Sequence, residues 1–257
     1  MTTLVLLGRN RELIRVLALK ELRVRYRRST LGFLWALLNP LMMMVILTVV
    51  FSKITRSATP NYTIFLISAL LPWTFFSQCL TYCADSVVGN SELLKKVRVE
   101  KMVFPMAAIV SNTLNFCFSL VPLVLILLVL RFPFHWTWIY LPVAMAPLVM
   151  FAAGCGMFFA AMNVFFRDVA HILQIVLTGW FYLCPIIYPL DLLPARYQTV
   201  LWLNPLAQIL EGFRAAIYDG RLPSHASMAA AFAWGLIALF VGLQVFRRRQ
   251  DEFIYYV

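Results

Sequence analysis

Six stretches of this 257-residue chain run for at least 22 residues without a single Asp, Glu, Lys or Arg: Thr30–Ser52, Ser57–Ala84, Met102–Leu130, Phe132–Phe166, Val169–Leu190 and Leu222–Phe246. A helix crossing a bilayer needs about 20 apolar residues. An ionised side chain at its centre costs roughly 2.5–3.5 kcal/mol to insert. Each run is long enough, and each centre is clean. The pattern predicts an all-α integral membrane protein with six transmembrane helices. The fourth run is the longest and is expected to hold a loop near His135 and one helix from Trp138 onward.

Composition narrows the class further. The chain is 62% hydrophobic and 13% charged, with a mean hydropathy of +0.83, against roughly 25% charged residues in a soluble domain. A soluble globular fold, a disordered chain and a free nucleic-acid binder are excluded. The net charge is +11, and in an apolar chain such an excess belongs at the cytoplasmic membrane surface. With the N-terminus inside, segments 9–28, 85–101, 167–168 and 247–257 hold eight, four, one and three Lys or Arg. The outer segments hold Lys53, Arg56, Arg131, Arg196, Arg214 and Arg221. Sixteen against six predicts cytoplasmic N- and C-termini. The charged start, with Glu12 and Glu21, does not read as a cleaved signal.

Three segments outside the spans stand out. Residues 9–28 are basic and partly amphipathic, which predicts an N-terminal interface helix against anionic headgroups; a plain positive anchor is the alternative. Arg15 and Arg23 interrupt its apolar face. Residues 85–101 carry Asn90 or Ser91 as a helix start and Glu92 in the first turn. They read either as a short cytoplasmic helix that a soluble partner grips or as a solvated loop. Tyr197–Leu210 is apolar but only 14 residues long and contains Pro205, which predicts a re-entrant or interfacial segment rather than a span.

Catalytic signatures are absent. There is no G-x-x-x-x-G-K-[ST], H-E-x-x-H or G-x-S-x-G, so the chain has no P-loop of its own. His135, His171 and His225 lack ligand spacing, and Cys79, Cys83, Cys117, Cys155 and Cys184 sit within apolar stretches. No metal is expected. The spans carry almost no ionisable residues, which argues against a proton- or ion-coupled carrier. Glu211 and Arg214 are three apart, at the spacing of a structural ion pair near the outer surface; a substrate contact is the alternative. Small residues four apart, Ala152/Gly156/Ala160 and Ser227/Ala231/Gly235, allow close helix contact. Aromatics cluster at the outer ends of the spans, either as an interfacial belt or as the wall of a sugar path.

Several motifs recur in a telling order. Arg25-Tyr26-Arg27-Arg28-Ser29-Thr30-Leu31-Gly32-Phe33-Leu34-Trp35 leads into Leu38-Asn39-Pro40-Leu41. Asn163-Val164-Phe165-Phe166-Arg167-Asp168-Val169, Cys184-Pro185-Ile186-Ile187-Tyr188-Pro189 and Leu203-Asn204-Pro205-Leu206 follow. The set resembles the ABC-2 type permeases that export O-antigen, capsule and teichoic-acid polysaccharides. Cys184 departs from it, standing where a small polar residue is expected.

The resemblance implies one transmembrane domain over 1–257. It divides into an interface helix (1–29), helices 1–2 (30–84), a coupling helix (85–101), helices 3–5 (102–190), outer gate helices (191–220), and helix 6 with a cytoplasmic tail (221–257). It implies a homodimer in the bacterial inner membrane, joined by two separate ATPase subunits that bind ATP and Mg. This chain itself would bind no cofactor, no nucleic acid and no metal. Ser91, Glu92, Leu93, Leu94, Lys95, Lys96, Val97 and Arg98 would then meet the ATPase, with Arg167–Asp168 a lesser contact. Arg23, Arg25, Tyr26, Arg27 and Arg28 would face lipid headgroups and attract the diphosphate of a lipid-linked polysaccharide. Trp73, Phe76, Trp180, Tyr182 and Tyr188 would line the sugar path. The likeness of the first-span motif favours O-antigen among the polymers. The competing readings are an ABC-2 exporter of a small hydrophobic drug or lipid, a membrane-bound sugar transferase, and a scaffold without transport.

Overall fold

The computed structural model describes residues 10–26, 60–96 and 99–256, together with positions 35, 38, 41–43, 45, 46, 49 and 50. The first expected span, Thr30–Ser52, therefore lies outside the described residues except at those isolated helical positions. Arg27, Arg28, Val97, Arg98 and the side chain of Tyr26 also lie outside them.

The described residues form helices and no strand. They are α1 (Arg11–Tyr26), α2 (Tyr62–Ser86), α3 (Ser91–Lys96), α4 (Val103–Val129), α5 (Leu141–Phe165), α6 (Val169–Leu183), α7 (Ala195–Trp202), α8 (Pro205–Arg214), α9 (His225–Arg249) and α10 (Phe253–Tyr256). Among them, four stretches are long and apolar enough to cross a membrane: α2, α4, α5 with the turn before it (Trp136–Phe165), and α9 with the tail (His225–Tyr256).

α2 is the centre of the bundle. It is buried on nearly all sides and packs against α4, α5, α6 and α8. α5 lies between α2 and α9 and meets each through small residues. A side chain at Gly154 would run into the backbone of Ala238 on α9, and one at Gly156 would lie 2.9 Å from Cys83 Sγ on α2. Ala152 and Ala160, fully buried beside Gly156, complete the α2 face as the four-residue spacing suggests. The α9 face is built from Gly235, Ala238 and Gly242. Only Gly235 of these belongs to the second small-residue series.

α1 buries Ile14, Leu17 and Ala18 against the bundle, at helical i, i+3, i+4 spacing. Val16, Leu19 and Val24 point outward beside Arg15 and Arg23. Its helical wheel is mixed because the helix has two apolar faces, one of them turned away from the protein.

α6 has 15 residues, about 22 Å of helix, short of the roughly 30 Å hydrocarbon thickness. The apolar run continues to Leu190, but the helix does not. Pro185 disfavours helical geometry at Cys184, and Cys184 is extended (φ −98°, ψ 143°).

The helices sort the charges between two ends. α1, α3, the α5–α6 turn and the tail share one end, where Lys101 Nζ donates to Gln250 O at 2.6 Å and Phe165 packs on Phe253 and Tyr256. Arg11, Arg15, Lys20, Arg23, Arg25, Lys95, Lys96, Lys101, Arg167 and Arg247–Arg249 lie there. Among the described residues, the opposite end carries α7, α8 and the basic residues Arg131, Arg196, Arg214 and Arg221.

Candidate translocation groove and gate

The non-helical stretch after α6 has carbonyls with no partner in a helix, and where such groups are buried they need partners from elsewhere in the protein. Side chains do this. Tyr62 Oη donates to Ile187 O at 2.8 Å, and Arg214 Nη2 donates to Ile186 O at 3.4 Å. Tyr188 Oη donates to Tyr182 O at 3.0 Å. Gln198 Nε2 reaches Leu190 O and Leu193 O at 3.2 and 2.8 Å. Asn204 joins the pieces. Its Oδ1 caps α8 by accepting from Leu206 N at 3.1 Å and also accepts from Trp180 Nε1 at 3.1 Å. Its Nδ2 lies 3.3 Å from Leu183 O and 3.4 Å from Cys184 Sγ. The Cys-Pro and Asn-Pro motifs, 20 residues apart in sequence, are one junction.

Arg214 lies at the base of this junction with 7% of its surface exposed. Its guanidinium carbon is 3.8 Å from the centre of the Phe65 ring, a cation–π arrangement that desolvation strengthens. Burial pulls its pKa down to about 10, with Glu211, Asp219 and two tyrosines pulling the other way, so it stays charged. The expected Glu211–Arg214 pair does not form. Glu211 pairs with Arg221 at 2.6 Å, and Asp219 pairs with the same guanidinium at 2.9 Å. A π turn over Ala215–Asp219 brings Arg221 back over α8 while Arg214 points inward.

Beside the junction, α2 and α6 enclose a groove of about 410 Å³ lined by Trp73, Thr74, Ser77, Thr178, Phe181 and Tyr182, with Met43 and two leucines. The hydroxyls of Thr74, Ser77 and Thr178 are already committed as donors. Thr74 Oγ1 donates to Leu70 O at 2.7 Å, Ser77 Oγ to Thr74 O at 3.2 Å, and Thr178 Oγ1 to Gln174 O at 2.9 Å. What they offer a solute is their lone pairs. The groove thus presents aromatic faces and hydrogen-bond acceptors, the counterpart of a polymer rich in C–H faces and hydroxyl donors.

The five aromatics singled out in the sequence divide. Trp73 and Tyr182 line the groove, and Tyr182 is 62% exposed. Phe76 is 0% exposed, enclosed by Trp73, Phe151 and Trp180 at ring distances of 5.9, 5.5 and 5.5 Å; it has no face for a solute. Trp180 is half-buried and spends its N–H on Asn204, and Tyr188 spends its hydroxyl on Tyr182 O; both hold the junction. Thr74, Ser77 and Thr178 were not singled out. The four-residue spacing of Ser77 from Trp73 and of Thr178 from Tyr182 was the available signal.

At the other end, α3 is held to the bundle by Leu94, which is buried, and by half-buried Leu93. Asn90 Nδ2 donates back to Ser86 O at 2.8 Å. Glu92 and Lys96 form an exposed i,i+4 pair at 3.1 Å, and Lys95 is exposed. Ser91 begins the helix. Of the interface residues, Arg23 faces outward, whereas Arg25 turns inward to Asn112 Oδ1 at 3.2 Å. Among the described residues no three His, Cys, Asp or Glu gather where they would hold a metal ion.

Residues 12–218 match the family of ABC-2 type transporters. The chain is 34% identical to an O-antigen export system permease protein of Myxococcus xanthus, over 95% of this chain and 94% of that one. It is 30% identical to the O-antigen export system permease protein of Klebsiella pneumoniae, over 94% and 93%. It is 26% identical to a polysialic acid transport protein of Escherichia coli, over 94% and 95%. An all-helical, multi-span membrane protein with this groove has the makings of a transport subunit. The chain belongs to the ABC-2 type transporter family.

Proposed function

We propose that this chain is the membrane subunit of an ATP-driven exporter that moves a lipid-linked polysaccharide, O-antigen in the first place, across the bacterial inner membrane. The observation that carries this reading is the groove of aromatic faces and acceptor-only hydroxyls beside the gate junction, in a chain whose relatives over nearly its whole length are named as polysaccharide exporters. Two copies would pair, with six spans each and both termini in the cytoplasm. Two separate ATPase subunits would supply the energy, since this chain has no P-loop.

α2 supplies the mechanical link. Its 25 residues, about 37 Å of helix, run from the α3 turn at one end, past Trp73, Thr74 and Ser77, to Tyr62 at the gate. A push on Ser91–Arg98 by the ATPase would shift α2 as a rod, widen the groove against α6 and pull on Ile187 O. Sugars would slide along Trp73, Phe181 and Tyr182, since stacking tolerates a changing sequence of units better than a fixed hydrogen-bond set does.

Deletion of the gene in its bacterium, followed by a gel of the surface glycans, tests the reading. Loss of one surface polymer, with its lipid-linked form accumulating inside, is the expected result. An unchanged glycan profile would refute it and point to the export of a small hydrophobic drug or lipid.

A further inference from the structure

Beneath α1, at the end of the bundle that carries α3, lies a separate cavity of about 250 Å³. α1, the end of α2 and the start of α4 enclose it. Its polar lining includes Lys20, Glu21, Arg25, Tyr82, Asp85 and Asn90. Arg25 is fixed there by two contacts. Its guanidinium carbon sits 3.9 Å from the centre of the Tyr82 ring, and Nη2 donates to Asn112 Oδ1 at 3.2 Å. Nε and Nη1 are buried with no hydrogen-bond partner. One turn earlier on the same helix, Glu21 Oε2 is also buried and unpartnered.

Glu21 and Arg25 have the spacing at which a carboxylate and a guanidinium ordinarily pair. No ion pair joins them, because Asn112 and Tyr82 draw the guanidinium away. A buried guanidinium with open donors is costly. It therefore attracts an acceptor with several oxygens. Nη2 keeps one N–H after bonding Asn112, which completes a single forked edge with Nε or with Nη1, of the kind that binds phosphate oxygens in a parallel pair. A ring stacked on the guanidinium holds that fork in one plane, an arrangement a lysine cannot reproduce.

We propose that this cavity binds a phosphate-bearing lipid headgroup, with phosphate oxygens on Nε and Nη1 of Arg25 and the Lys20 ammonium at the mouth. Glu21 sets the pH range. Burial pushes its carboxyl up to about 7, against the pull of Arg25 and Lys20. Protonated, it donates to a phosphate oxygen; ionised, it repels one. The other charged or titratable groups facing it are Lys20 and Arg25 from α1, and Cys83, Tyr82 and Asp85 from α2. Asp85 is occupied by Asn163 Nδ2 of α5 at 3.3 Å. α4 contributes Phe104, Ala107 and Asn112, none of which titrates. Affinity is therefore highest below pH 7 and falls above it. Gly89 and Asn90 line the cavity and belong to the turn into α3, so a seated headgroup touches the turn that moves with the coupling helix. The carrier-lipid outcome rests on the export reading and the phospholipid outcome does not; neither depends on which polymer is moved.

Two sources share this chemistry: acidic membrane phospholipid and the lipid diphosphate that carries a polymer. Isothermal titration of the purified full chain in neutral detergent distinguishes them, using dihexanoyl phosphatidate, farnesyl diphosphate, inorganic phosphate and inorganic diphosphate at pH 6 and pH 8. Binding at pH 6 that weakens about tenfold at pH 8 is expected, the effect of one pKa unit of linkage. Glu21→Gln should keep the pH 6 affinity at pH 8. Arg25→Lys, which keeps the charge and loses the fork, should weaken binding about tenfold or more with an unchanged melting temperature. A preference for phosphatidate assigns membrane phospholipid, and a preference for farnesyl diphosphate assigns the polymer carrier. Binding of the inorganic anions alone, binding of none of the four, or affinities that Arg25→Lys leaves unchanged would overturn the site. Loss of polysaccharide export with phosphate binding intact, or the reverse, separates the two proposals.

Discussion

The two ends of this molecule are fastened in opposite ways. At the gate end, six backbone carbonyls between Tyr182 and Leu193 are each held by a side chain from another part of the chain or from the loop itself, and a buried arginine stacks beneath them. At the coupling end, α3 rests on two leucines and presents an ion pair that is almost wholly in solvent. Buried hydrogen bonds, costly to leave unmade, hold irregular backbone in one shape. A short helix held by a few apolar contacts can be pushed by a partner and return.

The strongest way to break this contrast is within the aromatic cluster behind the groove. Phe76→Ala should cost about 3–5 kcal/mol, read as a large fall in melting temperature, because its ring is enclosed on all sides. Asn204→Ala should follow at about 2 kcal/mol, the sum of a lost helix cap and lost bonds to Trp180 and Leu183. Thermal unfolding in detergent measures both. Glu21→Gln sharpens the contrast through pH. A folded-state carboxyl raised above its unfolded value gives stability that is full below pH 4.5 and lost as pH rises toward 7. The variant should therefore melt higher than the wild type at pH 8 and alike at pH 4. Tyr182→Ala should leave melting within about 0.5 kcal/mol, as an exposed side chain does. Its export of long polymers should fall roughly threefold to tenfold, the value of one lost ring contact. The smallest effect is expected from Glu92→Gln with Lys96→Gln, within about 0.5 kcal/mol.

Much of this was legible before the structure. α2, α4, α5 and α9 follow from charge-free length alone, since insertion cost acts on each residue independently of its neighbours in space. α6 fell short of its apolar run because hydropathy does not register the backbone restriction that Pro185 places on Cys184. Trp73 and Tyr182, expected on the path, line the groove, but Phe76, three residues from Trp73, was not separable from them: composition does not say which side of a buried helix faces a neighbour. Arg25 and Asn112 meet across 87 positions, and no local spacing foretells that contact. The Glu211–Arg214 expectation failed for a related reason. The spacing was right for a helix, and the π turn then offered Arg221 as the nearer partner.

Export by the proposed route requires that α3 move α2 while the gate junction keeps its shape. The direct test is to replace Leu93, Leu94 and Lys96 together, reconstitute the permease with its ATPase in vesicles, and measure polysaccharide exported per ATP hydrolysed. The expected result is ATP hydrolysis that continues while export stops, with the gate-end amides as protected from hydrogen exchange as in the wild type. Export at the wild-type ratio would contradict the account.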